Sequence, residues 1–191
     1  EEAKRVNGDT LQSPWSDRRI IVIKEPIGVC AAVTPWNFPA AMITRKVGPA
    51  LAAGCPMVLK PALATPFSAL ALAALAERAG VPPGVFSVLT GSAGAIGKEM
   101  TSNPTVRKLS FTGSTEVGRL FLKYSAESNL KEIVLECGGK SPQVVFEDAD
   151  LDAAVGQMLS AAYWNMSENC SCGSRLIVQA SIKDAVIERL K

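Results

Sequence analysis

The chemistry of this 191-residue chain is read first from a cysteine and a glutamate. Cys170 lies in Asn165-Met166-Ser167-Glu168-Asn169-Cys170-Ser171-Cys172-Gly173-Ser174-Arg175, thirty-four positions after Glu136 in Leu135-Glu136-Cys137-Gly138-Gly139-Lys140. A thiol among small polar residues and a carboxylate beside a glycine pair are the parts of a nucleophile and its base. The chain has no histidine, so imidazole cannot activate the thiol and a carboxylate must move any proton. Cysteine-protease chemistry is thereby excluded. The bland alternatives are an inert buried thiol and a surface glutamate at a strand end. The polar flanks of Cys170 favour a reactive thiol, because inert core cysteines sit among apolar residues. Glu136 follows the apolar run Ile133 to Leu135, so partial desolvation is expected to raise its pKa and make it a better base near neutrality.

Other residues suit ligand binding, each with a plainer alternative. Asn37, in Thr34-Pro35-Trp36-Asn37-Phe38-Pro39, can donate to a developing oxyanion, or it can simply satisfy its proline-bracketed loop. Lys60 ends a short apolar run directly before Pro61, where a strand terminus of an open parallel sheet faces the ligand crevice. It can hold a ribose or phosphate, or be a solvated terminal lysine. Gly113-Ser114-Thr115-Glu116-Val117-Gly118 follows a strand and opens a helix, as a pyrophosphate site would. It is not a Walker loop, since Arg119 follows Gly118 in place of lysine. Gly91-Ser92-Ala93-Gly94-Ala95-Ile96-Gly97 lacks the Gly-x-Gly-x-x-Gly spacing, and glycine at such turns is often only a backbone requirement.

The elements that must position these groups alternate. A turn is read at Gly8 to Thr10, a second at Gln12 to Asp17, and a strand at Arg18 to Lys24. Strands follow at Gly28 to Val33, Met57 to Lys60, Val85 to Leu89, Lys108 to Phe111 and Ile133 to Leu135. Helices are expected at Ala40 to Ala53, from a Thr65 N-cap and Pro66 to a stop at Gly80, at Ala93 to Met100, and at Thr115 to Ser125. Strand–helix alternation of this kind predicts an α/β fold with a doubly wound open parallel sheet. Gln143 to Phe146, Asp152 to Trp164 and Arg175 to Gln179 then begin a second α/β domain that is cut short.

Bulk properties bound the partners. Apolar residues make up 48% of the chain, enough to fill a core, and 20 basic against 18 acidic residues leave a formal charge of +2. Without a basic block, neither nucleic acid nor an anionic membrane is an expected partner. The longest strongly apolar stretch, Ala69 to Ala76, falls far short of the roughly twenty residues that cross a bilayer. Five cysteines without a Cys-x-x-Cys pair argue against a disulfide framework or a zinc site. No metal is expected, and a reduced, cytoplasmic compartment fits best. The opening Glu1-Glu2-Ala3-Lys4-Arg5, with no initiator methionine or signal core, reads as an internal start.

Taken together, Pro35-Trp36-Asn37-Phe38-Pro39, Lys60-Pro61, Phe111 to Gly118, Leu135 to Lys140 and Cys170 to Arg175 resemble, in order and spacing, the NAD(P)-dependent aldehyde dehydrogenase superfamily. The resemblance runs the length of the chain and looks like a central slice of a subunit more than twice as long. It implies a linker and oligomerisation strand arm over 1–26, a Rossmann-like cofactor domain over 27–137 and the start of the catalytic domain over 138–191. It further implies oxidation of an aldehyde to its acid through a thiohemiacetal and thioester on Cys170. Asn37 and the Cys170 amide would hold the oxyanion and Glu136 would activate water. NAD or NADP is expected against Thr34, Pro35, Trp36, Lys60, Gly113, Ser114, Gly118 and Gly138. A homo-oligomer, dimer or tetramer, is implied as well. The alternative is a non-catalytic nucleotide-binding or assembly fragment of such an enzyme.

Within the superfamily, Arg45 and the opening Glu1 to Thr10 resemble succinate-semialdehyde dehydrogenases, in which a matching arginine binds the substrate's distal carboxylate. Trp164 stands where those enzymes carry a second arginine, so an uncharged, amino-substituted or aromatic aldehyde also fits. Ser167 occupies a position usually held by glycine, with an altered loop backbone expected. Leu63 replaces an acid that often binds the adenosine ribose, which leaves the choice of cofactor open. Cys172, two residues past the nucleophile, is either a passive thiol or, as it resembles, the second thiol of a Cys-x-Cys redox switch.

Overall fold

The computed structural model describes residues 2–191 and divides them into two compact units, residues 2–136 and Cys137–Lys191. The first opens with a 3-10 turn, Glu2–Arg5, and an antiparallel pair formed by β1 (Asp9–Leu11) and β2 (Ile20–Val22). The turn expected at Gly8 to Thr10 is therefore corrected, since Asp9 and Thr10 pair with Val22 and Ile21. Gly8 explains the difference: a Cβ there would lie 2.1 Å from the Val22 carbonyl oxygen, so only glycine admits this approach. The pair is largely exposed, with Ile21 and Ile23 more than 70% accessible.

A five-stranded parallel sheet follows, ordered β5-β4-β3-β6-β7. Its strands are β3 (Val29–Val33), β4 (Met57–Lys60), β5 (Phe86–Val88), β6 (Val106–Gly113) and β7 (Glu132–Cys137). The crossovers are α1 (Ala41–Ala52), α2 (Pro66–Arg78), α3 (Ala93–Ser102) and α4 (Thr115–Ala126). Alternation on β3 builds both faces at once. Cys30 and Ala32 pack with Ile43 and Val47 of α1 and Ala69 of α2, whereas Ala31 packs with Met100 of α3 and Phe121 of α4. Helices on both faces make the sheet doubly wound, as expected from the alternating elements. Gly97 sits where a Cβ would come 3.0 Å from the Phe121 ring, which sets the close approach of α3 and α4.

Caps explain most boundaries. Ser92 and Ser114 accept from the Ala95 and Val117 amides, and Gly80 at φ +92° closes α2. Thr65 does not cap α2 with its side chain. Its φ of −137° and ψ of 52° differ from cap geometry, and Pro66 alone sets the start. At the far end of α3 and α4, buried Lys131 donates to the Thr101 carbonyl and lies 3.3 Å from Ser128 Oγ, while Ser125 Oγ donates to the Lys131 carbonyl at 2.7 Å.

The second unit is one crossover: β8 (Pro142–Val145) pairs in parallel with β9 (Arg175–Val178), with α5 (Leu151–Tyr163) between them. Asp150 caps α5 through the Asp152 and Ala153 amides, so the helix starts one residue earlier than expected and stops before Trp164. A terminal helix, α6 (Lys183–Leu190), covers Val145 and Met158 with fully buried Val186. It is absent from the sequence reading, as are the 3-10 turns at Trp164–Ser167 and Ala180–Ile182.

Candidate active site

In the first unit the chain runs β3, β4, β5 toward one edge, then returns to place β6 on the other side of β3. The strand order thus reverses between β3 and β6, and in open α/β sheets the ligand crevice lies outside the carboxyl ends at that point. Thr34 to Asn37 leave β3 there, Gly113 and Ser114 leave β6, Lys60 ends the neighbouring β4, and Glu136 lies at the end of β7. These first-unit candidates thus fall on one sheet edge, whereas Gly118 lies within α4 and Arg45 lies on α1, lining a cavity with Cys30 and Lys108. Backbone pairing fixes the edge, since the Thr34 amide donates to the Lys60 carbonyl at 3.1 Å.

This edge is polar and under-satisfied. Thr34, Thr112 and Thr65 hold buried hydroxyls with no hydrogen-bond partner among the described residues. Lys60 is 3% exposed, and burial lowers its pKa from the ordinary lysine value. Buried polar atoms without partners in a folded chain call for a ligand or water. Hydroxyls, an ammonium and the Ser114-capped N-terminus of α4 form the donor set that a phosphorylated dinucleotide takes. The residues present therefore fit NAD or NADP. Gly113 has a packing role too, because a Cβ there would lie 2.5 Å from the Phe111 ring. Around Gly138 nothing lies within 4 Å of the Cβ position.

Glu136 is exposed, so the desolvation expected from its apolar run does not occur. Ile133 to Leu135 are half-buried but leave the carboxylate open. Sequence reasoning passes over Lys46, a buried lysine on α1. It is 6% exposed, its Nζ lies 2.8 Å from Ser110 Oγ, and its pKa falls to about 8. Desolvation is the main cause, opposed by attraction to Glu136 and reinforced by Arg45. The signal was present: Met42, Ile43, Lys46 and Val47 are the buried positions of α1, so a lysine occupies the apolar stripe. Arg45, the residue singled out from sequence, is exposed one position earlier.

In the second unit the loop after α5 carries Cys170. Among the five cysteines, all within the described residues, only Cys170 is exposed. The loop is tied to the end of α5 by several bonds. Ser167 Oγ donates to Ala162 O at 2.6 Å, Asn169 Nδ2 to Trp164 O at 3.1 Å, and the Gly173 amide to Ala161 O at 3.1 Å. Cys172 is buried with its thiol donating to Ala162 O at 3.1 Å, so a link to Cys170 requires that bond to break. Asn165, Met166 and Ser167 have φ of 51°, 56° and 66°. Three consecutive non-glycine residues in the left-handed region are strained, and Ser167 takes a conformation that glycine adopts freely. Trp164 is 60% exposed. At Gly173 a Cβ would come 2.7 Å from the Gln143 side-chain amide, which would have to move and give up its bond to the Gly173 carbonyl.

A doubly wound parallel sheet with an under-satisfied polar edge at its switch point makes the first unit an α/β domain of the dinucleotide-binding type. The chain belongs to the aldehyde dehydrogenase family, whose model matches residues 1–191. It is 63% identical over 191 residues to a glutarate-semialdehyde dehydrogenase of Pseudomonas aeruginosa and 62% identical to the NADP(+) succinate-semialdehyde dehydrogenase GabD of Escherichia coli. Each match covers the whole chain and 39% of the relative. A crystal structure of an NADP-dependent enzyme from E. coli superposes with a TM-score of 0.95 at 62% identity, over 99% of this chain and 39% of that one. The chain thus spans about two fifths of the length of these relatives. Among the described residues no helix is long and apolar enough to cross a membrane.

Proposed function

We propose that the protein oxidises a semialdehyde-like aldehyde to its carboxylic acid with NAD(P)+. The observation that carries the reading is Cys170, the one fully exposed thiol among the described residues, presented on a loop pinned to α5 in a chain of this family. As thiolate, Cys170 attacks the aldehyde carbon and forms the C–S bond of a thiohemiacetal. The Asn37 amide and the Cys170 backbone N–H donate to the resulting oxyanion. Bound NAD(P)+ supplies the hydride acceptor. The carboxylate of Glu136 takes a proton from water, which attacks the thioester and releases Cys170 as thiolate. Thr34, Pro35, Trp36, Lys60, Gly113, Ser114, Gly118 and Gly138 hold the cofactor. The buried hydroxyls and Lys60 support that assignment.

The semialdehyde names of the two relatives support a substrate with a distal carboxylate, for which Arg45 is the binding group. Trp164 in place of a second arginine widens the range toward uncharged aldehydes. The exposed isoleucines of the β1–β2 pair support a homo-oligomer assembled through that arm, and a cytoplasmic location belongs to the same proposal. A Cys170–Cys172 thiol switch belongs to the same proposal. Peroxide treatment of the protein, followed by thiol mapping, should give a dithiothreitol-reversible link between these two, and its absence ends the switch.

The deciding experiment assays the whole protein with NAD and with NADP against aldehydes of equal length with and without a distal carboxylate. Aldehyde-dependent appearance of reduced nicotinamide, lost in Cys170→Ala, is the expected result. Nucleotide binding without any such turnover would replace the proposal with a non-catalytic binding or assembly role.

A further inference from the structure

The structure holds a second sulfur site in the first unit, away from the edge that carries Lys60 and Glu136. Cys30 is the second residue of β3, and Cys55 lies between α1 and β4. The Cys30 amide donates to the Pro56 carbonyl at 2.8 Å, and the Cys55 amide to the Ala50 carbonyl at 2.8 Å, so backbone bonds hold both segments. Cys30 and Cys55 lie in the same core layer against α1, 5% and 3% exposed. Both line a cavity of about 430 Å³ that also receives Lys46, Lys108 and Ser110. Each thiol makes a long contact to a carbonyl, Cys30 to Gly28 at 3.7 Å and Cys55 to Ala53 at 3.8 Å. The bond from the Cys30 amide to the Pro56 carbonyl sets Cys30 beside the residue that follows Cys55, and both side chains face the same core layer.

We infer that Cys30 and Cys55 form a redox-reversible dithiol that closes to a disulfide when hydrogen peroxide enters this cavity. One sulfur, as thiolate, attacks a peroxide oxygen: the S–O bond forms, the O–O bond breaks, and hydroxide leaves to be protonated to water. The second sulfur attacks the sulfenic sulfur: S–S forms, S–O breaks, and a second water departs. Two thiols lose two electrons and two protons, and one peroxide becomes two waters. Burial and the neighbouring Cys55 push the Cys30 thiol up to about 11, Lys108 opposing them only in part, so Cys30 rests as the slow-reacting thiol. Closure ties the turn after α1 to the start of β3, and thereby restrains the helix that carries Arg45 and Lys46.

The test uses the whole protein with Cys170→Ser and Cys172→Ser, treated with hydrogen peroxide, denatured in acid, alkylated and mapped by mass spectrometry. A Cys30–Cys55 linked peptide should appear, with alkylation of both residues falling together by about tenfold and returning on reduction with dithiothreitol. Cys30→Ala and Cys55→Ala should each abolish the linked peptide. The mapping of the parent protein decides the matter even if either variant fails to fold. Recovery of Cys30 and Cys55 as unlinked thiols, as separate sulfinic acids, or joined to Cys137 would overturn the inference.

Discussion

The sheet edge of the first unit and the Cys170 loop of the second are built on opposite plans. At the edge, functional groups are buried and their backbone is held by parallel-strand pairing, as Thr34 is held to Lys60. In the loop, the functional thiol is exposed and three residues before it have left-handed φ, with no sheet to hold them. The loop keeps its shape through side-chain and amide bonds to the last carbonyls of α5, which a helix end leaves without intrahelical partners. Binding groups thus inherit rigidity from the fold, whereas the nucleophile depends on a few local bonds.

If that division is right, substitutions on the two sides should separate. Cys170→Ala in the whole protein should lower turnover by roughly 10⁴-fold while leaving nucleotide affinity within about twofold, read by steady-state rates and cofactor fluorescence titration. Retained turnover would remove the thiol from the chemistry. Lys60→Met should do the reverse, weakening nucleotide binding by about 10–100-fold while iodoacetamide labelling of Cys170 stays unchanged. Equal nucleotide affinity in Lys60→Met and the parent would take the lysine out of the site. Trp164→Arg should raise kcat/KM for an aldehyde with a distal carboxylate over its uncharged analogue by roughly tenfold. An unchanged ratio would show that the indole does not face substrate.

The first unit also predicts a pH effect at α1. Lys46 has a folded pKa of about 8, below its unfolded value of 10.5. Between these values the unfolded chain binds more protons, so this residue makes stability rise with pH by up to about 1.4 kcal/mol per unit. Below about pH 8 its destabilising effect is fully present. Lys46→Met should therefore be more stable than the parent at pH 7 in urea titrations, with the gap closing toward pH 10. A gap that does not vary with pH would contradict the burial argument. The smallest effect belongs to the loop: Ser167→Gly relieves left-handed strain but loses the bond to Ala162 O, so melting should shift by about 1 kcal/mol or less. A larger loss would mean the hydroxyl matters more than the φ.

How far the sequence reveals each region follows from the same division. Alternating short apolar strands with helix starts and stops were enough to read the doubly wound sheet, because every element of the first unit carries its own period and cap. Thr34, Lys60 and Ser114 were legible because they stand where strands end. Lys46 was passed over in favour of its neighbour Arg45, although its place in the apolar stripe of α1 marks it as buried. The exposure of Glu136 was misjudged because an apolar run reports the burial of its own residues, not of the one that follows. Left-handed Asn165 and Met166 had no signal, since no glycine marks them, whereas Ser167 had been flagged. Helix α6 was missed because its apolar residues are sparse, and only Val186 is fully buried.

Lys131 bears on Glu136 without approaching it. Its ammonium grips the end of α3, its carbonyl receives the Ser125 hydroxyl from α4, and it stands one residue before β7 begins. Successive strand residues point to opposite sides, so sliding β7 by a single position would turn the carboxylate five residues downstream onto the wrong face. The buried ammonium behaves as a doorstop for that strand, and a distant hydrophobic replacement there could misaim the proposed base while every group around it stays intact.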